Sequence, residues 1–143
     1  MTEIAGGCLC GAVRYRLAEA MHKAHLCHCR MCQRATGSAF SSFGAVPAAA
    51  LVFTRGAPKA YRSSARTTRT FCAACGTPLT FRYDGSDTVG VAIGSLDRPE
   101  AVTLEFHYGV ESRLPWLDFD DGLPAVRTDE KPGACGCADN PAD

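Results

Sequence analysis

The chain has 143 residues, 46% of them hydrophobic, with 15 basic and 15 acidic side chains and a formal net charge of zero. That length suits one domain with a core of its own, and no basic stripe interleaved with aromatics marks a nucleic-acid surface. No run approaches the roughly 18 apolar residues of a membrane-spanning helix, and MTEIAGGCLC lacks the basic and apolar regions of a secretory signal, so a soluble, cytoplasmic protein with neither membrane nor nucleic-acid partner is expected.

In GAVRYRL, Val13, Tyr15 and Leu17 alternate with Arg14 and Arg16, the period of a half-buried strand. A polar, histidine-bearing connection then leads into the cysteine-rich stretch LCHCRMCQRATG. Beyond it, SAFSSFGAV and ALVF carry aromatic and branched residues on either side of Pro47, with one helical turn feasible from Pro47 to Leu51. RTFCAACGTPLTFRY reads as two strands flanking a tight turn, Asp84-Gly85 marks another turn before TVGVAIGSL, and VTLEFHY alternates again. No segment holds helical spacing over about 12 residues, so the class is mainly β. The domain is expected over residues 1–130, with KPGACGCADNPAD, from Lys131 onward, as a mobile tail.

Charge is unevenly placed. Residues 1–83 hold 11 Lys/Arg against 2 Asp/Glu, while residues 84–143 hold 4 against 13. No basic stripe interleaved with aromatics accompanies this, so the expectation is that the two halves pack together and neutralise each other. A residual positive field near the cysteines would attract a small anion.

Nine cysteines in a reducing compartment are better explained by metal ligation than by disulfides. Cys8 and Cys10 form Cys-x-Cys, which on extended backbone points both sulfurs to one side. Cys72 and Cys75 form Cys-x-x-Cys, followed by Gly76 where a knuckle turn tolerates positive φ. Together they make a closed set of four thiolates. A redox role for CAAC needs a neighbouring βαβ pattern that the sequence lacks.

Cys27, Cys29 and Cys32 remain, three thiolates within six residues. A structural zinc normally takes four protein ligands and a working one keeps a position open. The spacing leaves both readings standing: the fourth corner is open to water, or a histidine closes it, His25 more readily than His22 or than His28, which lies between two ligands. Cys135 and Cys137 read as accidental thiols of the tail. His107, on a strand, and Trp116, a single tryptophan of the kind usually found in a core, receive no catalytic role.

GGCLCGAVRY, CHCRMCQRATGSAF, FCAACGTPL and SRLPWLDFDDGLP, in that order, resemble the glutathione-dependent formaldehyde-activating enzyme family, also called the centromere protein V/formaldehyde-activating domain. The resemblance spans about residues 4–124. It implies zinc-stapled antiparallel sheets similar to the zinc-binding chaperone of Rab GTPases, and two Zn2+ per chain: a structural ion on Cys8, Cys10, Cys72 and Cys75, a catalytic one on Cys27, Cys29 and Cys32. It also implies carbon-sulfur lyase chemistry on a small thiol adduct such as S-(hydroxymethyl)glutathione, with glutathione and a carbonyl compound as partners. Zinc fits that chemistry, because a thiol entering its fourth position loses its proton and becomes a nucleophile. Lys23, Arg30 and Arg34 flank the cluster and are candidates to offset thiolate charge or bind the ligand's carboxylates. The competing class is a non-catalytic zinc-stabilised β-domain that presents a surface to a protein partner.

Overall fold

The computed structural model describes residues 3–131; the tail from Pro132, with Cys135 and Cys137, lies outside them. Eleven strands, one short α-helix and four single 3-10 turns are present among the described residues. A small sheet of order β1-β2-β5 is formed by β1 (Ile4–Gly7), β2 (Arg14–Leu17) and β5 (Leu51–Arg55). The larger sheet runs β11-β10-β3-β4-β9-β8-β7-β6. Its members are β3 (His22–Cys27), β4 (Ser41–Pro47), β6 (Lys59–Arg62), β7 (Thr67–Phe71), β8 (Pro78–Tyr83), β9 (Thr88–Ala92), β10 (Phe106–Tyr108) and β11 (Ala125–Val126).

The expected alternation of β2 is realised: Tyr15 and Leu17 are buried and Arg16 is exposed. Tyr15, Leu17, Val46, Leu79, Val91 and Leu96 share the main core with Cys8 and Cys72. Three contacts fix the small sheet against the loop after β9. Gly6 bridges Leu96, the Tyr15 hydroxyl pairs with Ser95 Oγ at 2.6 Å, and Arg14 grips Asp97 through two bonds of 2.8 and 2.6 Å. Gly6 has to be glycine, since a Cβ there would lie 2.5 Å from both the Tyr15 hydroxyl and the Ser95 carbonyl.

Pairing is antiparallel through most of the large sheet, as expected. It departs at one edge, where β10 lies parallel to both β3 and β11. The register sets Tyr108 beside Cys27, so both side chains stand on one face of the sheet. The alternation in VTLEFHY becomes a strand only from Phe106. Pro47 does precede a single helical turn, Ala48–Ala50.

The helix α1 (Arg30–Thr36) follows β3 directly. Cys29 is its N-cap, with a sulfur that accepts from the Cys32 amide at 3.3 Å, and Gly37 ends it at φ 68°. A capping sulfur in place of the usual oxygen means the helix begins on a side chain that belongs to the cysteine group.

Candidate functional site

Two cysteine groups stand out among the described residues. Cys8, Cys10, Cys72 and Cys75 bring their sulfurs within 4.8 Å of one another, with Cys8 to Cys10 at 3.7 Å and Cys10 to Cys72 at 3.9 Å. Each pair sits on a tight turn whose next residue, Gly11 or Gly76, has φ 82°. Thr77 ties the turns together: its hydroxyl accepts from the Leu9 amide at 3.0 Å and lies 3.2 Å from Cys75 Sγ.

Proton affinities inside this group diverge. The Thr77 hydroxyl, with the Thr77 and Cys10 amides, draws the Cys75 thiol down to about 5. The Ala12 amide favours the Cys10 thiolate, yet the sulfurs of Cys8, Cys75 and Cys72, together with desolvation, outweigh it and push Cys10 up to about 11. Four sulfurs this close cannot all ionise without a cation among them, and four soft sulfur donors within 4.8 Å of one another suit zinc.

Cys27, Cys29 and Cys32 form the second group, again with all sulfurs within 4.8 Å. Cys27 is the last residue of β3, Cys29 caps α1, and Cys32 lies in its first turn. All three are buried, together with Met31 and Tyr108. The Arg69 guanidinium, from β7, donates to Cys32 Sγ at 3.5 Å and stacks over Phe43 and Phe81. A cation there would offset thiolate charge at this group. Gly109 comes so close that a Cβ would sit 3.0 Å from the Cys29 nitrogen.

No histidine nitrogen joins this group of three sulfurs. His25, the favoured closer, is buried, binds the Lys23 carbonyl through Nδ1 at 2.8 Å and stacks on Phe106. Burial pulls its pKa below the ordinary histidine value. His22 is exposed at the start of β3. Of the three candidate cations, Lys23 is exposed with its amide on Glu105 Oε2 at 2.6 Å and φ 51°. Arg30 donates to Gln33 Oε1. Arg34 lines a cleft of about 480 Å³ between α1 and strands β6 to β8, and Arg69 lines that cleft too. Trp116 is 70% exposed, so the core position expected of a single tryptophan is not taken; it stands in a turn outside the strands.

One arrangement had no signal in the spacing. His28, fully buried, meets His107 Nδ1 through Nε2 at 3.0 Å, and His107 Nε2 reaches Asp121 Oδ2 at 2.7 Å. Phe40 and Phe119 enclose His28. Burial, then the neighbouring His107, lowers the His28 pKa to about 4. The hydrogen bond from His107 holds the Asp121 carboxyl below its usual range. With one proton on each ring, Asp121 accepts from His107 Nε2, His107 Nδ1 accepts from His28 Nε2, and His28 Nδ1 is left a bare, buried acceptor that no protein group satisfies. Gln33 fixes the surrounding backbone by donating to the carbonyls of His28 and Ser112 at 2.7 and 3.1 Å.

The model of the glutathione-dependent formaldehyde-activating enzyme family matches residues 3–111. The chain belongs to that family. Among curated proteins, an uncharacterized lyase of Schizosaccharomyces pombe is 27% identical over 131 residues, 91% of this chain and 95% of its own length. A crystal structure of a Rhodobacter sphaeroides protein shares the fold with a TM-score of 0.52 at 21% identity, over 85% of this chain and 98% of that one. Both cysteine groups fall inside the part matched to the formaldehyde-activating family, and either could hold a metal ion. No described helix is long and apolar enough to cross a membrane.

Proposed function

We propose that the protein is a zinc-dependent enzyme of carbon-sulfur lyase type that makes or breaks the bond between a small thiol, such as glutathione, and the carbon of a carbonyl compound; S-(hydroxymethyl)glutathione is the reference adduct. Family membership and the lyase name of the Schizosaccharomyces pombe relative support this class of reaction. The observation that carries it is the contrast between the two groups, four sulfurs in one and three in the other among the described residues. Cys8, Cys10, Cys72 and Cys75 would hold a structural zinc, and Cys27, Cys29 and Cys32 a zinc with one position left for a ligand.

A zinc bound by three thiolates lowers the pKa of an entering thiol and so supplies a thiolate nucleophile at neutral pH. The chain's own residues do the rest. Cys27, Cys29 and Cys32 present three donors from a strand end and a helix start, whose geometry Gln33 and the Cys29 cap make rigid. Arg69 balances charge at Cys32. Arg34, exposed on the same helix, is available to a carboxylate of the thiol.

A second reading, a non-catalytic zinc-stabilised β-domain, draws on one observation: Cys27 and Cys32 have no exposed surface, so an incoming thiol reaches them only after local movement. Titrating the cobalt-substituted protein with glutathione and with S-methylglutathione, and following the sulfur-to-cobalt and ligand-field bands, separates the two. A change in half of the bound cobalt with the free thiol alone is expected. Silence of both ions toward glutathione and toward a panel of other small thiols overturns the enzyme in favour of the binding domain.

A further inference from the structure

The cleft between α1 and strands β6 to β8 has a chemical character that glutathione and formaldehyde leave unexplained. Its apolar lining includes a floor of buried or half-buried Met31, Phe43, Phe71 and Pro78 with exposed Ala35 beside them, and its polar lining includes Arg34 and Arg69 but no carboxylate. Its volume, about 480 Å³, lies within the range of small-ligand pockets. None of the three cysteines lines it, but helix and arginine connect it to them: Met31, Arg34 and Ala35 are on the helix that carries Cys32, and the Arg69 guanidinium lines the cleft and donates to Cys32 Sγ.

Arg34, in a lining that holds no carboxylate, matches an anionic ligand, and glutathione, with two carboxylates and one ammonium, is one. Its body is polar, however, and the hydroxymethyl group that formaldehyde adds is a single polar carbon. Neither covers five apolar side chains, and burying a polar group against them without a partner is costly. The apolar part of the ligand must come from the carbonyl compound.

We infer that the adduct this enzyme handles is a thiohemiacetal of glutathione with an aldehyde that carries an extended alkyl or aryl group, seated on the floor of this cleft with a glutathione carboxylate on Arg34. The inference rests on the proposed thiol-adduct activity and names its substrate class. In the cleavage direction the carbon-sulfur bond breaks, its electron pair leaves on sulfur, the hydroxyl proton ends on that sulfur, and the carbonyl double bond forms; thiol and aldehyde are released with no change in oxidation state. The reverse reaction forms the same bond from the same two molecules.

Stable thioethers imitate the adducts, so the test is calorimetric titration of the zinc-loaded full-length protein with S-methyl-, S-hexyl- and S-benzylglutathione. The hexyl and benzyl ligands are expected to bind at least about tenfold more tightly than the methyl one, from the apolar area they bury, with a more negative heat-capacity change. Ala35→Trp, at an exposed helix position, fills the cleft and is expected to erase that ratio. Equal affinities across the wild-type series overturn the inference, as does a ratio that survives Ala35→Trp. The cobalt response to free glutathione, measured on the same preparation, reports on the proposed activity separately. A responsive cobalt with a flat series leaves a thiol-adduct enzyme with a small aldehyde and removes this inference alone. A steep series with a silent cobalt keeps the cleft's ligand class and removes the reaction.

Discussion

Severing the four-cysteine group and severing the three-cysteine group should have unequal consequences for stability. In Cys8→Ser/Cys10→Ser a metal proposed for the four sulfurs could no longer join the first turn of the chain to the β7–β8 turn, and a closed loop of roughly 70 residues opens; the chain-entropy cost of such a loop is about 4 kcal/mol. In Cys27→Ser/Cys29→Ser the loop is six residues from Cys27 to Cys32 and the same expression gives about 2 kcal/mol. The unfolded chain narrows that second effect further. Three thiols so close in sequence bind zinc without the fold, and a ligand held by both states stabilises neither. The assay is urea unfolding of the zinc-loaded proteins. At a slope of about 2 kcal/mol/M, the first variant's midpoint should fall by about 2 M and the second's by 1 M or less by the same rough scale. Equal midpoints for the two variants would refute the division into a long-range staple and a locally built site.

Three further outcomes are expected. Gly109→Ala forces a Cβ into a left-handed backbone (φ 68°) against the Cys29 nitrogen; it should cost about 1–2 kcal/mol and weaken metal retention by the second group more than by the first, read as chelator-dependent release. Asp121→Ala removes the acceptor that orders the His107 and His28 rings, so imidazole 15N shifts should change from one tautomer of His28 to a mixture, and unchanged shifts would dismiss the chain of bonds. Asp97 is held below the ordinary carboxylate range by its bonds to Arg14. Its contribution is therefore present at neutral pH and is lost as pH falls below about 4. Because the pair is half-exposed it is worth no more than about 1 kcal/mol, and Asp97→Asn should show a smaller drop in urea midpoint from pH 7 to pH 3 than the wild type.

Much of this was legible in the residues, for identifiable reasons. Cysteine spacing is a local quantity, and the meeting of Cys8 and Cys10 with Cys72 and Cys75 followed from each pair lacking two donors. Alternation in GAVRYRL reported burial because one face of β2 meets the core. Alternation says nothing about strand direction, so the parallel β3–β10–β11 edge was hidden behind an expectation of antiparallel sheets. The helix α1 has seven residues, too few to show a period, and starts on a cysteine that reads first as a ligand. The pairing of His28 with His107 spans 79 positions and has no repeat or spacing to announce it. Arg69 reads in sequence as the polar member of a strand; only the closure of β7 against α1 makes it the partner of a sulfur.

The unequal reach of the two cysteine groups also orders events in time. As the chain leaves the ribosome, Cys27, Cys29 and Cys32 emerge together, and a metal can be captured before β3 has found either of its neighbours, β4 and β10. Cys8 and Cys10 emerge earlier still, but must wait for Cys75. With zinc as the metal of both groups, a scarce supply would fill the compact group during synthesis and the long-range one last.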